Sequence, residues 1–527
     1  MKRCPECRRD YYDDTLLYCL DDGNALVEGP TQHFDNKARL RRSTAEPATL
    51  LYRSADATRP DIRGTIAVLP FANLSGDPGN DYFCDGLAEE LLNVLSKIRG
   101  LRVAARTSAF SFKGKQATVE EIGRILHVGS VLEGSMRIAD RRVRISVQLV
   151  KVSDGYHIWT ESYDRMMDDI FAVQDDIARS VVDELRSMLV GQKPNADSSA
   201  LAKSDVAAAV RGRSVEPEAQ RLMLMGRHFL DRTTREDTTK AIHYFQDALE
   251  LDPKYALCWA ELGRAYSIEA GRAWVPVAEG FERSRDAATR SLELEPDLAD
   301  GHAQLGRIRA AHDWNLHGAE ESYIRAMELA PGSASVVDGA AMLAYKLGRY
   351  DEALSLGREI LLQDPLSAAY WHNLGLICHS ADLFEESEKS FRTALDLVPQ
   401  RFVTSALLSL VLMDQGRMDE ALEQASKEPY EVWRVWATAI IQYISGDVAG
   451  ADESLNILTE EHSLGNAYQI AEVHSMRGEK RESFIWLDHA INERDSGMTH
   501  AKANPRFRPL HDDPLWPQML KKIGFDV

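Results

Sequence analysis

The 527-residue chain lacks any apolar run long enough to cross a bilayer. A spanning helix needs about 20 apolar residues, whereas the longest stretch here, Ala406 to Met413, is short and is interrupted by Ser409. Residues Met1 to Pro5 also lack the apolar core that opens a secretory signal peptide. We therefore expect a cytoplasmic protein with no membrane span.

Cysteines are few, and basic residues are fewer than acidic residues. The six cysteines exclude a disulfide framework and favour a reducing compartment. The 62 Lys and Arg are outnumbered by 82 Asp and Glu, which gives a net charge of −20. Residues 201–527 hold 35 of the basic and 52 of the acidic residues, so the acidity is concentrated there. Nucleic acid is therefore an unlikely partner, because phosphate binding needs clustered basic side chains.

Motifs of known catalytic sites are missing. The chain has no H-E-x-x-H, no G-x-S-x-G and no protein-kinase set. The loop at 75–80 has glycines but lacks the Lys-Ser/Thr ending of a phosphate loop. Cys84, Cys258 and Cys378 lie in apolar helical contexts that are typical of core cysteines. The sequence thus predicts a protein that is not an enzyme and has no catalytic residues.

The cysteines at the start of the chain are arranged as metal ligands. Cys4 and Cys7 form a C-x-x-C knuckle, Cys19 opens a second half-knuckle, and Asp22 stands where a fourth cysteine would be. Zinc prefers four tetrahedral ligands and accepts carboxylate oxygen. We predict a structural Zn²⁺ site over residues 1–28, with water or another side chain as alternatives to Asp22. The other reading is three unligated thiols on a disordered tail.

This arrangement resembles the small zinc ribbons found at the N-terminus of bacterial regulatory proteins. Residues 29–62 follow as a flexible linker with little apolar periodicity and a small basic cluster, 37–42. A zinc-ribbon regulator that binds nucleic acid is therefore an alternative function, although residues 1–62 are close to charge-neutral.

Residues 63–190 alternate between strand-like and helix-like patterns. Strands are predicted at 65–71, 101–105, 130–138, 143–152 and 156–163, and helices at 82–98, 119–126 and 170–189. This order predicts a compact α/β sandwich. The runs Ile66–Asp77, Asp85–Leu91 and Trp159–Arg165 resemble the TolB-amino-terminal-like domain, which occurs beside tetratricopeptide repeats and often follows an effector such as an adenylate cyclase. The resemblance implies no enzymatic activity of its own.

Residues 217–527 repeat, after a polar stretch at 191–216 that is predicted to be a linker. Prolines at 253, 296, 331, 365 and 399 end a shared motif, with a spacing that settles at 34 residues. That period, with the pattern Trp259…Leu262-Gly263…Tyr266, resembles the tetratricopeptide repeat. We expect about eight helical hairpins and a C-terminal cap that together form an all-α superhelix.

Stacked hairpins leave a concave groove lined by the first helix of each unit. Six side chains are candidates for binding a partner there, although each is also compatible with an ordinary solvated position: Arg264, Arg307, Tyr345, Lys346, His372 and His379. The acidic helices favour basic or hydrophobic peptides, while the groove can differ in sign from the outer surface.

The whole chain is predicted to be multidomain, with a short zinc ribbon, an α/β sandwich domain and a tetratricopeptide superhelix. The favoured function is a non-enzymatic scaffold or regulatory adaptor in bacterial signalling that binds other proteins or peptides. A regulator gated by a small molecule in the 63–190 domain is the second alternative.

Overall fold

A computed structural model describes most of the chain. The described residues are 2–3, 10–11, 27–28, 64–77, 80–98, 100–139, 142–166, 170–190, 196–214, 216–230, 234–272 and 274–526. They form two compact units, Met1–Pro60 and Asp61–Val527. In the first unit, strand β1 (Lys2–Arg3) pairs antiparallel with both β2 (Asp10–Tyr11) and β3 (Val27–Glu28).

The larger unit begins with a mixed sheet. Its strands are β4 (Thr65–Val68), β5 (Ala72–Asn73), β6 (Arg102–Val103), β7 (Ser130–Ala139), β8 (Arg142–Lys151) and β9 (His157–Met166). The order is β6-β4-β7-β8-β9, and β5 pairs with β7. Strand β4 is parallel to β6 and β7, whereas β7, β8 and β9 are antiparallel. Every residue of β4 is buried, as expected for a central parallel strand covered on both faces.

Helices cover both faces of this sheet. They are α1 (Asp81–Ser96), α2 (Arg106–Phe110), α3 (Val119–Leu126), α4 (Ile170–Val190) and α5 (Ala196–Ala209). Ile66 and Val68 pack with α1, α4 and α5, while Ala67 packs with α3 on the opposite face. A capping box between Thr118 and Glu121 fixes the start of α3.

Helix α5 lies within the segment that the sequence predicts to be a linker. Ala202 and Val206 are buried in the same core as α1 and α4, and Ala209 joins them. Their spacing of four and three residues places them on one face of a helix. The short, mostly small side chains make that apolar face weak in the sequence, and the linker interpretation does not hold for 196–209.

The remaining chain forms an array of antiparallel helix pairs, eight of them in the described residues. The pairs are α6 (Pro217–Leu230) with α7 (Arg235–Leu251), α8 (Ala256–Gly271) with α9 (Val277–Leu294), α10 (Ala299–Ile308) with α11 (Leu316–Leu329), α12 (Ala334–Lys346) with α13 (Tyr350–Gln363), α14 (Ala368–Ser380) with α15 (Phe384–Leu397), α16 (Thr404–Asp414) with α17 (Met418–Ser426), α18 (Glu431–Ser445) with α19 (Val448–Glu461), and α20 (Ala467–Met476) with α21 (Lys480–Asn492). A π-helical turn, Arg309–Asp313, extends α10.

Small residues let the two helices of a pair approach each other. A Cβ atom placed on Gly375 of α14 would lie 2.7 Å from the ring of Phe391 on α15. Glycine also ends helices by adopting a left-handed backbone, as at Gly348 (φ 77°) and Gly416 (φ 79°). These two uses of glycine recur along the array and set the hairpin geometry.

The α/β domain packs against the loops that join successive pairs. The backbone N–H of Ala105 donates to the carbonyl of Gln363 at 2.9 Å. The Ser108 hydroxyl donates to Asp364 at 2.5 Å and accepts from the N–H of Leu366 at 2.9 Å. Gly332 lies so close to the end of α1 that a Cβ there would clash with a backbone carbonyl. These contacts hold the two domains in one unit.

The segment after α21 folds back along the array. It contains two 3₁₀ helices, Ser496–His500 and Pro505–Leu510, and α22 (Leu515–Lys522). Arg494 lies 4.3 Å from the ring centroid of Trp314, and the Tyr350 hydroxyl donates to the carbonyl of Ala503 at 3.3 Å. The predicted cap therefore reaches the middle pairs as well as the last pair.

Candidate functional site: cavities on the inner face of the array

The first helices of neighbouring pairs contact one another from α8 to α20. We call the surface they share the inner face. Three of the sequence-predicted groove residues, Arg264, Arg307 and Lys346, line one cavity on this face. The other three, Tyr345, His372 and His379, line a second cavity. His500, from the folded-back segment, lines both.

The first cavity, which we call the basic cavity, has a volume of about 500 Å³. It lies between α8, α10 and α12. Its polar lining is mostly basic, and consists of Arg264, Arg272, Arg307, Lys346 and His500, with Ser267, Asp338 and Asn373. Its apolar lining includes Ile268, Phe281, Tyr323 and Met342. The cavity is thus positive although the array around it is acidic.

The charges of the basic cavity are poorly compensated. Burial, together with a smaller effect of the neighbouring Arg307, lowers the pKa of Lys346 to about 8. Burial likewise lowers the pKa of His500, with Lys346 and His372 adding to the effect. Asp338 accepts a hydrogen bond from Asn373 at 2.9 Å, yet burial still raises the pKa of its carboxyl group. A single carboxylate therefore faces several cations.

The second cavity, which we call the aromatic cavity, has a volume of about 300 Å³. Its lining includes Tyr345, Phe402, Trp433, Trp436 and Tyr468, and it contains the buried Glu472. Burial raises the pKa of Glu472 to about 8, against the opposing effect of its hydrogen bond from Asn504. Glu472 is therefore mostly protonated at neutral pH.

Both predicted histidines are engaged within the protein. His372 is 7% exposed and its Nδ1 lies 2.8 Å from the Thr404 hydroxyl. His379 is 4% exposed, and its Nε2 lies 2.7 Å from a carboxylate oxygen of Asp414. Burial lowers the pKa of His372 to about 3 and lowers that of His379 as well. Both rings act as hydrogen-bonded parts of the cavity wall.

A third cavity of about 660 Å³, the interdomain cavity, lies between the α/β domain and the array. A buried ion-pair network borders it. Glu90 of α1 pairs with Arg213 at 2.6 Å and with Arg227 of α6. Arg227 also pairs with Glu261 of α8 at 2.8 Å, and Glu261 pairs with Arg264 at 2.8 Å. Burial opposes ionisation of Glu261, but Arg264 and Arg227 hold its pKa at about 2.

Sequence reasoning missed several residues around these cavities. Arg272 and Asp338 belong to the basic cavity, and Arg401 is electrostatically coupled to both. Phe402 and Trp433 belong to the aromatic cavity. Arg401 and Phe402 lie just after the Pro399 motif, in the loop that brings the next first helix onto the inner face. The position of this loop, directly after the Pro399 motif, was the feature of the sequence that could have identified Arg401 and Phe402.

The predicted zinc ligands Cys4, Cys7, Cys19 and Asp22 lie outside the described residues, as does the predicted linker at 29–62. Within the described part of the chain, no group of three or more His, Cys, Asp or Glu is placed to hold a metal ion. Cys84, Cys258 and Cys378 are buried free thiols. None of the helices in the described part has both the length and the apolar character needed to cross a membrane.

Part of the array matches a known repeat family. Residues 339–402, from within α12 to the loop before α16, match the family model of the tetratricopeptide repeat. The sequence-predicted repeat fold is confirmed by this match and by the helix pairing. The match covers two of the eight described helix pairs.

Similarity to individual proteins extends over parts of the chain. "Putative adenylate cyclase 3" of Rhizobium meliloti (strain 1021) is 35% identical over 243 residues, which cover 46% of this chain and 39% of that protein. "Superkiller complex protein 3" of Mus musculus is 26% identical over 204 residues, which cover 37% of this chain and 12% of that protein. The chain thus spans less than half the length of either relative. The solved structure of Pseudomonas aeruginosa pilF shares 19% identity at a TM-score of 0.30, and the match covers 37% of this chain and 92% of that one.

Proposed function

We propose that this chain is a non-enzymatic adaptor of bacterial signalling that binds a partner protein through its tetratricopeptide array. The 63–190 domain, TolB-amino-terminal-like by resemblance, is a second docking module held against the array. The relative named as an adenylate cyclase supports this proposal if the shared residues are the non-catalytic part that accompanies an effector. On this proposal the chain itself does not turn over nucleotides.

One observation carries the partner-binding proposal: an aromatic cluster is exposed at the aromatic cavity. Phe402 and Tyr430 are each 47% exposed, and their ring centroids are 5.0 Å apart. The ring centroid of Phe402 is also 5.5 Å from that of Trp433. The ring centroid of Trp433 is in turn 5.7 Å from that of the buried Trp436. Exposed aromatic side chains held rigidly by a buried neighbour are typical of the residues that dominate protein–protein binding energy.

Affinity capture with matched variants tests this proposal. The double variant Phe402→Ala/Tyr430→Ala removes two exposed rings and is expected to lose the partners that the wild-type full chain captures. Leu251→Ala is the control, because Leu251 is 51% exposed on α7, a second helix of the array. An unchanged set of captured proteins, or turnover of nucleotides by the purified chain, would contradict the proposal.

A second candidate function is a regulator gated by a small molecule. The interdomain cavity favours it, because α1 and α2 of the α/β domain form one wall and the array forms the other. A ligand there would change how the two domains pack. Thermal-shift screening against nucleotides and metabolites tests this candidate, since a ligand of the folded state raises the melting temperature. Arg106→Gln, which removes a cation from the wall, is expected to abolish the shift.

The zinc site at Cys4, Cys7, Cys19 and Asp22 is part of the same proposal. In the sequence, Cys4 and Cys7 fall between the residues of β1 and those of β2. Metal analysis of the full chain is expected to find about one zinc per chain, reduced in Cys4→Ser. If that zinc supports nucleic-acid binding, a gel shift with duplex DNA should respond to salt and to the same variant.

A further inference from the structure

Two cations of the basic cavity, Arg307 and Lys346, differ from Arg264, which pairs with Glu261 at 2.8 Å. Elsewhere, buried guanidinium groups are paired, as Arg227 is with Glu90 and Arg506 is with Asp414. In the part of the chain that the structure describes, no carboxylate lies within ion-pair distance of Arg307 or Lys346.

Neighbouring groups add to this excess of positive charge. Arg401 is partly buried and its Nε has no hydrogen-bond partner among the described residues. Burial and the proximity of Arg272 lower the pKa of Arg401. Asp338 is the carboxylate of the cavity, and it already accepts from Asn373. Arg307 is exposed, whereas Lys346 is half-buried. A desolvated charge without a partner is unfavourable, so a bound anion would stabilise Lys346.

The size and lining of the cavity indicate the rest of the ligand. A volume of about 500 Å³ lies within the roughly 300–1,000 Å³ that is usual for small-molecule sites. Phe281, Tyr323 and Met342 supply apolar lining in the same cavity. His500 of the folded-back segment also lines the cavity.

We propose that the basic cavity binds a small organic anion, in which a carboxylate or phosphate group is attached to an apolar or aromatic body. The anionic group contacts Lys346 and Arg307, and the apolar body packs against Phe281 and Tyr323. The aromatic cluster at Phe402 does not line this cavity, although His500 lines both cavities, so the ligand-binding and partner-binding experiments test different residues.

Isothermal titration and thermal shift with the full chain test the site. The probes are phenyl phosphate, phenylacetate and inorganic phosphate, each at constant ionic strength. Phenyl phosphate or phenylacetate is expected to bind at least tenfold more tightly than inorganic phosphate, because only the two organic probes carry a ring that can pack against Phe281 and Tyr323. Whichever organic probe binds more tightly identifies the head group as phosphate or carboxylate.

Variants assign the binding to the cavity. Lys346→Met is expected to weaken binding of the organic probe at least tenfold, while Lys427→Met, at an exposed lysine just after α17, leaves it unchanged. Arg307→Gln is the second variant, because Arg307 is exposed and its loss does not threaten folding. The proposal is overturned if no probe at 10 mM raises the melting temperature of wild type by more than it raises the melting temperature of Lys346→Met. It is also overturned if Arg307→Gln binds the organic probe as tightly as wild type does.

Discussion

The ion pair between Glu90 and Arg227 joins the α/β domain to the array, and Glu90→Gln tests what that junction contributes to stability. Glutamine keeps the shape and one carbonyl acceptor but removes the charge. After the substitution, the network contains three guanidinium groups, those of Arg213, Arg227 and Arg264. Two carboxylates remain to balance them, those of Glu261 and the more exposed Asp175. The network then carries an uncompensated positive charge in a region that is nearly closed to water.

The expected loss follows from the burial of the pair. The side chains of Arg227 and Glu90 are 6% and 5% exposed, so solvent screens their attraction weakly. Removing one partner of such a pair costs about 3–5 kcal/mol. Because glutamine still accepts a hydrogen bond, we expect the lower end, about 3 kcal/mol in the free energy of unfolding. Exposed pairs contribute much less, about 0.5 kcal/mol.

Urea unfolding followed by tryptophan fluorescence measures this loss. The signal reports mainly the array, since Trp159 is the one tryptophan outside it. Glu236→Gln is the matched control, because Glu236 pairs with Lys240 on the surface of α7 and its side chain is 80% exposed. The control should respond to salt, whereas Glu90→Gln should not. A loss for Glu90→Gln within about 0.5 kcal/mol of the control would refute the reasoning.

Two further predictions concern the array. Glu472 binds a proton up to a pH of about 8 in the folded protein and up to about 4.5 when unfolded. Its contribution to stability is therefore present below pH 4.5 and is lost as the pH rises to 8. Glu472→Gln should flatten this dependence in urea titrations and stabilise the protein at pH 8 by on the order of 2 kcal/mol. Gly375→Ala should lower the free energy of unfolding by about 2 kcal/mol by overpacking Phe391, whereas Gly271→Ala, with open space around it, should not destabilise the protein.

Local patterns predicted the elements of this fold well. The alternation of Val143, Ile145, Val147 and Leu149 predicts β8, and all four are buried as expected. The glycine and proline positions predict the hairpins because they act on backbone angles and helix contacts within one unit. Helix α5 was missed because its buried face uses small side chains, which carry little hydrophobic signal.

Contacts between residues that are far apart in the chain could not be predicted from the sequence. The repeat period places Arg264, Arg307 and Lys346 on first helices, but it does not show that their charges lack partners. That property depends on which side chains three different units bring together. The aromatic cavity likewise depends on His500 and Arg506, which come from the folded-back segment. A repeat pattern contains no information on where that segment lies.

The folded-back segment has a consequence for how the protein is made. Repeat arrays usually fold unit by unit, because each hairpin contacts its neighbours alone. Here Arg494 donates to the carbonyl of His312 across 182 residues, and Gly524 packs against Trp314. At roughly 5–20 residues per second, the ribosome needs about 10 to 40 seconds to synthesise that interval. During this time the apolar surface around Trp314 is unprotected, so nascent chains are expected to depend on a chaperone until the covering segment emerges.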